Sequence, residues 1–287
     1  MDNRLTVVIP VYNRETELKR CLDSIAAQTM LPAQVIVVDD GSTDNSLVIA
    51  RTHTLNPVVL QGTHRGAAAA RNLGLEKVGT EWTMFFDSDD TMSPNHIASA
   101  CKAISSDVDL IGWDVRQVTL DNKWRILPFE TRDMEWHNIM HGTLATQRYM
   151  ARTDLFRQAG GWNPEVKIWN DIELGARLLS LSPSVIKIKG VNVNQYHTPV
   201  SITGTSWMSN LPKLLNTISI LEHTLGNAHP DWLLLKKTIL AADIAREAPS
   251  HVLPFDTPRE LKYRFAYHYR RLGGRGIARL LRPLFSK

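Results

Sequence analysis

The stretch Gln34-Val35-Ile36-Val37-Val38-Asp39-Asp40-Gly41-Ser42 is an apolar run that ends abruptly in two carboxylates and a glycine turn. Its apolar part shows no polar alternation, which is typical of a central strand covered on both faces. Ligands of open α/β sheets bind at the carboxyl ends of the strands, so Asp39 and Asp40 mark a candidate binding edge. The stretch therefore predicts a parallel strand of an α/β protein.

Over residues 1–100, short β-branched runs alternate with segments of helical period. This is the pattern of β-α-β units. The predicted strands are Leu5–Val11, Gln34–Asp39, Val58–Gln61 and Trp82–Asp87. The predicted helices are Glu15–Ala27, Asp44–Ala50, Gly66–Leu75 and Asn95–Ser105. This order indicates a nucleotide-binding α/β sheet with flanking helices.

The pattern loosens from about residue 108, and helical periods dominate again after about residue 205. The later helices are predicted at Leu211–Leu225, Trp232–Ala248 and Pro258–Leu272. We therefore expect a catalytic domain over residues 1–205 and a helical C-terminal extension over residues 206–287.

The composition excludes several classes of protein. With 287 residues and 43% hydrophobic side chains, the chain can bury a large core. No uncharged apolar stretch approaches the roughly 20 residues of a spanning helix, and no export signal is recognised. Two cysteines are too few for a disulfide scaffold, which favours a reducing, cytoplasmic setting.

The net charge of +4 is unevenly distributed. Residues 259–287 hold nine Lys and Arg against one Glu, which leaves 24 basic and 28 acidic residues before them. A basic tail on an acidic body indicates an anionic partner for the tail, either lipid headgroups or nucleic acid.

Three carboxylates in Asp87-Ser88-Asp89-Asp90 follow the predicted strand that begins at Trp82. Like charges at this spacing repel one another, and hard oxygen ligands suit Mg²⁺ or Mn²⁺. Such an ion would neutralise a departing diphosphate. The alternative is an acidic turn that caps the next helix, which starts near Ser93-Pro94.

Other polar residues fall at the same predicted edge. Asp39 is the stronger ligand candidate, whereas Asp40 suits a turn and Asp44 suits a helix N-cap. Tyr12 follows the first strand and could pack beside a planar base. Arg71 could bind an anion from a small-residue helix, with an ordinary solvated arginine as the alternative.

Four segments together resemble glycosyltransferase family 2 on the GT-A fold, a Rossmann-like, nucleotide-binding mixed sheet with flanking helices. The resemblance covers residues 5 to about 95 and continues more faintly, through Gly160–Asn163 and Trp169–Leu174, to about residue 203. The four segments are Ile9–Asn13, Val37–Ser42, Arg71-Asn72 and Asp87–Asp90.

The resemblance implies roles for individual residues on the donor side. Asp39 and Arg71 would contact the nucleoside, Asp87 the ribose side, and Asp89 an Mn²⁺ or Mg²⁺ ion on the diphosphate. His197 would help to ligate the metal or the diphosphate, with an exposed loop histidine as the alternative. The remaining residues expected in the nucleotide site are Pro10, Tyr12, Asn13 and Ser88.

The resemblance also implies a general base. Asp171 matches the acid that deprotonates the acceptor hydroxyl, although the family's usual preceding Glu is Asn170 here. From the residues alone, the favoured role of Asp171 is the N-cap of a helix over Ile172–Leu181. Trp162, Asn170 and Glu173 are the expected acceptor contacts.

These features predict an inverting glycosyltransferase that moves a sugar from a UDP-sugar to an acceptor hydroxyl. The expected acceptor is a lipid-linked glycan of surface polysaccharide synthesis at the cytoplasmic face of a membrane. Residues 259–287 are expected to bind the anionic lipids of that membrane. No nucleic-acid partner is expected. The alternatives are an inactive nucleotide-sugar or glycan-binding protein and a sugar nucleotidyltransferase; for the tail, the alternative is a helix packed on the domain.

Overall fold

The computed structural model describes residues 4–197, 206–226, 228–251, 253 and 255–285. In this part of the chain the strands form one mixed sheet. The strands are β1 (Leu5–Val11), β2 (Gln34–Asp39), β3 (Val58–Gln61), β4 (Trp82–Phe85), β5 (Thr91–Met92), β6 (Leu110–Val118), β7 (Trp124–Leu127), β8 (Tyr149–Arg152) and β9 (Val185–Tyr196).

The strand order explains where a ligand can bind. The order is β3-β2-β1-β4-β8-β6-β9-β5, with β7 beside β6. The first four strands in this order are parallel, whereas β8 is antiparallel to both β4 and β6. The chain leaves β1 toward β2 and β3 and returns on the other side as β4, which opens a crevice between the carboxyl ends of β1 and β4.

Helices cover both faces of this sheet and then form the C-terminal region. They are α1 (Glu15–Ala26), α2 (Ser46–Thr52), α3 (Ala67–Glu76), α4 (His96–Lys102), α5 (Met134–His141), α6 (Thr153–Gln158), α7 (Asn170–Ser180), α8 (Trp207–Leu225), α9 (Pro230–Glu247), α10 (Leu261–Arg271) and α11 (Ile277–Leu281). The expected mixed α/β sheet with a helical C-terminal region is confirmed.

The first three strands have the bounds that the sequence predicts. The fourth ends at Phe85 rather than Asp87 because the chain turns there, with the Asp90 amide donating to the Asp87 carbonyl at 3.2 Å. Helix α7 begins at Asn170, two residues before the predicted start, because Trp169 adopts a left-handed conformation with φ of 58°.

Strand β1 is buried on both faces, as its unbroken apolar run predicts. Leu5 and Ile9 pack in one cluster with α1, while Val8 belongs to the cluster on the opposite face. Helix α3 lies very close to this second face, since a Cβ on Gly74 would come within 2.4 Å of Val8 Cγ1. The small residues of α3 thus bring this helix against the sheet.

The C-terminal helices share their cores with the sheet domain. Trp136 of α5 is buried with residues of α9, α10 and α11, and Ile139 and Ile172 pack against Leu221 and Leu233. The alternative that the tail packs on the domain is therefore confirmed for the buried face of α10 and α11. The division at residue 205 stays a prediction, and no helix in the described part of the chain is long and apolar enough to span a membrane.

We predict that a fragment of residues 1–205 fails to unfold cooperatively. Removing α8 to α11 would expose Trp136, Ile139 and Ile172, and a buried large apolar side chain contributes about 1.5–3 kcal/mol to stability. Urea unfolding followed by tryptophan fluorescence checks this against the full chain. A sharp transition of the fragment at the same midpoint would show that the sheet domain is independent.

Candidate active site

A cleft of about 940 Å³ opens at the carboxyl edge of the sheet. The ends of β1 and β4, the start of α3 and the start of α7 contribute to its wall, and so do α9 and α10. Among the residues predicted from the sequence, those lining it are Pro10, Tyr12, Asn13, Arg71, Asp87, Ser88, Asp89, Asn170 and Asp171. The structure therefore brings most of the predicted site residues to one place.

The end of β1 is fixed to the end of β2. Asn13 has a left-handed backbone with φ of 49°, and its Oδ1 accepts from the Thr43 amide at 2.8 Å. The Asn13 amide in turn donates to Ser42 Oγ at 3.0 Å. Next to it, the half-exposed Tyr12 ring lies 4.2 Å, centroid to centroid, from the ring of His64. The sequence analysis missed His64, which lies in the loop before α3.

The acidic residues after β2 mostly hold loops in place. Asp40 accepts from the amides of Arg65 and Gly66 at 3.0 and 2.6 Å, which fixes the loop before α3. Asp44 accepts from the first amide of α2, that of Ser46, at 2.9 Å, close to its predicted capping role. Asp39 is 1% exposed and does not line the cleft, so its contact with a nucleoside stays a prediction.

Arg71 and Asp87 form an ion pair that joins α3 to the end of β4. Arg71 Nη2 lies 2.7 Å from Asp87 Oδ1, and the guanidinium lies 4.4 Å from the centroid of the Trp162 ring. Arg71 is only 5% exposed, yet its Nε and Nη1 have no hydrogen-bond partner among the described residues. A buried guanidinium with two unused nitrogens in a cleft suits a ligand with acceptor oxygens.

The carboxylates of Asp89 and Asp90 have different surroundings. Asp90 is buried and accepts from the Tyr196 amide at 2.9 Å, which ties the acidic turn to β9. Asp89 has no basic side chain within salt-bridge distance in the described chain. Burial raises the pKa of Asp89 to about 6, with a smaller contribution from the charge of Asp87. A cation beside Asp89 would therefore stabilise its ionised form.

A metal ion fits this turn only if other ligands complete its coordination. Over residues 4–197 and the described helices beyond them, no group of three His, Cys, Asp or Glu side chains is arranged to hold a metal. Magnesium commonly binds through one or two carboxylates together with phosphate oxygens and water, and Asp89 with a diphosphate fits that pattern. His197 is exposed and outside the cleft lining, so its role in metal binding stays a prediction.

Asp171 lies in the first turn of α7 and faces the cleft. Its Oδ1 accepts from the Ile172 amide at 2.9 Å, and Trp169 rather than Asp171 is the residue before the helix. The alternative that Asp171 is the N-cap is therefore wrong. Burial raises the pKa of this carboxyl above its usual range, while Arg71 opposes the shift.

Two expected acceptor contacts lie in the protein interior instead. Trp162 is 1% exposed, and its backbone bonds to the Asn72 side chain at 2.7 and 2.8 Å. Its ring packs against the Arg71 guanidinium. Glu173 is equally buried and bonds twice to Arg177, at 2.7 and 2.6 Å. Neither side chain lines the cleft, so their contact with the acceptor stays a prediction.

The C-terminal helices add charged residues that the sequence analysis did not select. Lys236 and Asp243 of α9 and Arg270 of α10 line the cleft. Asp243 is buried and bonds to Arg270 Nη2 at 2.9 Å. The sequence contained one signal for Lys236 and Asp243: both fall in the apolar stripe of α9, which includes Leu233 and Leu240.

Comparison with curated proteins gives several glycosyltransferases over part of their lengths. The chain is 37% identical over 109 residues to glycosyltransferase GlyA of Streptococcus pneumoniae, covering 36% of this chain and 15% of GlyA. It is 33% identical over 134 residues to the uncharacterized glycosyltransferase YibD of Escherichia coli, covering 44% of this chain and 38% of YibD. A PGL/p-HBAD biosynthesis glycosyltransferase of Mycobacterium bovis is 27% identical over 67% of this chain and 76% of its own length.

Solved structures share the fold at low identity. TarS of S. aureus (residues 1–349) in complex with UDP-GlcNAc has a TM-score of 0.64 at 17% identity, covering 93% of this chain and 79% of TarS. The mannosyltransferase PcManGT of Pyrobaculum calidifontis in complex with GDP-Man and Mn²⁺ has a TM-score of 0.60 at 18% identity, covering 99% and 88%.

A family model described as Glycosyl transferase family 2 matches residues 6–160, which include β1 to β4, the acidic turn and Arg71. More than half of the chain is thus matched, and the predicted fold agrees. The chain belongs to glycosyltransferase family 2.

Proposed function

We propose that this protein transfers a sugar from a nucleoside-diphosphate sugar to an acceptor hydroxyl, with inversion at the anomeric carbon. The observation that carries the proposal is the arrangement of Arg71, Asp87, Asp89 and Asp171 around one cleft, with two nitrogens of the buried Arg71 free to bind a ligand. A nucleotide sugar offers the phosphate and ribose oxygens that such a site needs.

The donor lies, in this proposal, across the carboxyl ends of β1 and β4. Tyr12 and His64 offer planar rings at the mouth of the cleft for a base, and Asp87 offers a carboxylate to a ribose hydroxyl. UDP is our choice of nucleotide; structures of TarS and PcManGT contain UDP-GlcNAc and GDP-Man, respectively, which supports the class of donor.

Asp89 would hold the divalent metal, Mn²⁺ or Mg²⁺, on the diphosphate. The ion would neutralise charge on the leaving group. Burial and the charge of Asp87 disfavour the ionised form of Asp89, and a bound cation would offset both effects. The presence of Mn²⁺ with PcManGT supports a metal of this class.

Asp171 would be the general base. In a single displacement, the acceptor oxygen forms a bond to the anomeric carbon as the bond from that carbon to the diphosphate oxygen breaks. The hydroxyl proton passes to the Asp171 carboxylate, and the nucleoside diphosphate leaves with the bonding electron pair. Burial of Asp171 makes its carboxylate a stronger proton acceptor than one in water, which supports this role.

We predict that Asp89→Asn removes the stimulation of UDP binding by Mn²⁺, because it removes the ionised oxygen ligand and keeps the size of the side chain. Isothermal titration of UDP with Mn²⁺ and with EDTA measures the effect. The same change at the exposed Asp154 is the control and should leave binding unchanged. Undiminished metal dependence in Asp89→Asn, with an unchanged circular dichroism spectrum, would remove Asp89 from the metal site.

A second prediction concerns Asp171→Asn. This change should lower turnover by about 100-fold or more, because the amide cannot accept the proton. UDP affinity should remain near that of the wild type, since Asp171 does not take part in donor binding. Release of the nucleoside diphosphate, UDP or GDP, from a panel of UDP-glucose, UDP-galactose, UDP-N-acetylglucosamine and GDP-mannose measures turnover, with water or added glycans as acceptors. Turnover near the wild-type rate would rule out Asp171 as the base.

A catalytically silent sugar-nucleotide-binding protein is the main rival. It would bind UDP with the same metal dependence but release no nucleoside diphosphate from any donor of the panel. The raised pKa of Asp171 in the cleft favours the enzyme, because a binding protein has no need of a proton acceptor there.

We also propose that the acceptor is a lipid-linked glycan at the cytoplasmic face of an anionic membrane, and that α10 and α11 contact that membrane. Tyr263 and Ala266 of α10 are buried, whereas Leu261, Phe265 and Leu272 are 81, 47 and 88% exposed. The exposed set follows helical spacing on the side opposite to the buried set. Leu280 and Leu284 extend the exposed apolar surface beyond α10.

The basic residues of this region divide in the same way. Lys262, Arg270 and Arg282 form ion pairs with acids of the protein. The other arginines of the region are exposed and, across the described ranges, have no acidic partner within salt-bridge distance. These are Arg259, Arg264, Arg271, Arg275 and Arg279. Exposed arginines beside exposed leucines are the composition of an interfacial membrane-binding surface, and they support an anionic bilayer as the partner.

We predict that the double change Arg264→Glu and Arg271→Glu weakens binding to vesicles containing phosphatidylglycerol, because each arginine near an anionic surface contributes about 1 kcal/mol. Vesicle sedimentation measures binding, which should fall with added salt in the wild type. Lys77→Glu with Lys102→Glu makes the same charge change on the sheet domain and should leave binding intact. Equal binding of all three proteins would contradict a membrane role for this surface.

A further inference from the structure

Parts of three helices meet beside the proposed base. They are the C-terminal end of α5, the N-terminal end of α7, and the middle of α9, which comes from the C-terminal region. Lys236 of α9 projects into this junction and lines the cleft together with Asp171. Only 7% of Lys236 is exposed, which is unusual for a lysine, because burying an ammonium is costly unless partners surround it.

The partners of Lys236 hold both neighbouring helices. Its Nζ donates to the carbonyl of Ile139 in α5 at 2.5 Å. The same ammonium lies 4.1 Å from the centroid of the Trp169 ring, a cation–π distance. Trp169 is the left-handed residue directly before α7, so Lys236 contacts the chain two residues before Asp171.

Helix α5 fixes the same turn from the other side. Asn138 Nδ2 donates to the Ile172 carbonyl at 2.8 Å, and its Oδ1 accepts from the Leu144 amide at 3.3 Å. The two helices also approach closely, since a Cβ on Gly175 would lie 2.6 Å from the Asn138 side chain. The first turn of α7 is therefore held between Asn138 and Lys236.

We infer that Lys236 is a positioning residue for Asp171, which fixes the first turn of α7 and supplies positive charge beside the carboxylate from the C-terminal region. The inference rests on the proposed role of Asp171 as the base. Lys236 lies outside the part of the chain that the family model matches, residues 6–160. The C-terminal helices would therefore be a working part of the active site.

The charges around Asp171 come from several elements, and Lys236 is one of them. Burial raises the pKa of Asp171 and lowers that of Lys236 to about 8, where the charge of Asp171 acts to keep Lys236 protonated. Burial also lowers the pKa of His141 to about 4, so this ring is neutral near pH 7. The other ionisable groups that interact with Asp171 are Arg71, Asp87, Arg148 and Tyr149.

A cation near a carboxylate favours its ionised form, so removal of the Lys236 charge should raise the pKa of Asp171 further. A base must be ionised to accept a proton, so the acidic limb of the pH–rate profile should move to higher pH. A purely structural lysine would change stability without moving the pKa of Asp171.

The test is ¹³C NMR titration of the Asp171 carboxyl in the full-length protein, labelled at aspartate and assigned by comparison with Asp171→Asn. Lys236→Met keeps the length of the side chain and removes its charge, and should raise the pKa of Asp171. Lys236→Arg keeps the charge and should leave the pKa near its wild-type value. Lys237→Met is the matched control, because Lys237 is the next residue of α9 and pairs with Glu222 instead.

A second readout is the pH dependence of nucleoside diphosphate release from the best donor of the panel, with Mn²⁺. Lys236→Met should lower turnover at neutral pH by about tenfold and shift the acidic limb upward, with UDP affinity unchanged. If Lys236→Met does not fold, Lys236→Gln replaces it in both experiments, since its amide can still donate to the Ile139 carbonyl.

An unchanged pKa of Asp171 in a folded, uncharged variant overturns the inference, whatever the rates show. Because the NMR titration needs no substrate, it remains decisive even if the wild type turns over none of the donors, an outcome that would count against the proposed function alone. A shifted pKa with unchanged turnover would also overturn the inference, since Lys236 would then not act through Asp171 in the reaction.

Discussion

The ion pair between Arg71 and Asp87 is the interaction on which the geometry of the cleft depends. It joins α3 to the end of β4, and the Trp162 ring lies against the guanidinium on the other side. The pair can form only because α3 lies close to the sheet, where Gly74 leaves no room for a side chain above Val8. The position of the Asp89 turn follows directly, because Asp89 lies two residues after Asp87.

The same ion pair leaves the arginine incompletely satisfied. One nitrogen of Arg71 binds Asp87, while Nε and Nη1 are buried without a partner in the described part of the molecule. Unsatisfied buried donors lower stability, typically by about 1–3 kcal/mol each, so proteins retain them mainly where a ligand completes the bonding. The cleft thus combines a rigid frame with donors that remain available.

The sheet was predictable because its signals are local. Leu5–Val11, Gln34–Asp39 and Val58–Gln61 are apolar runs bounded by turn residues, and the strands have those bounds. The start of α7 was not predictable, because it follows a left-handed tryptophan at position 169, whose ring contacts Lys236 from a distant helix. The local sequence pattern also could not distinguish Asp171 from Glu173, two residues later. Asp171 lines the cleft, whereas Glu173 pairs with Arg177.

The environment of the basic tail also could not be predicted from its sequence. Its sequence shows basic and apolar residues interleaved, which fits a helix on a membrane and a helix on a protein equally well. In the structure, both kinds of residue divide between two sides: Tyr263 and Arg270 face the protein, whereas Leu272 and Arg271 face outward. One surface thus completes the core and the cleft, and the other is available for the proposed membrane contact. Through Lys236, the C-terminal region is also linked to the proposed base.

We propose that this cleft binds a nucleoside diphosphate through Arg71 and through the acidic turn with a divalent metal. Calorimetric titration of the wild-type protein with UDP and with GDP, in Mn²⁺ and then in EDTA, tests it most directly. We expect saturable binding of a nucleoside diphosphate that requires the divalent metal. Absence of binding by both nucleotides in Mn²⁺, or equal binding in EDTA, would contradict it.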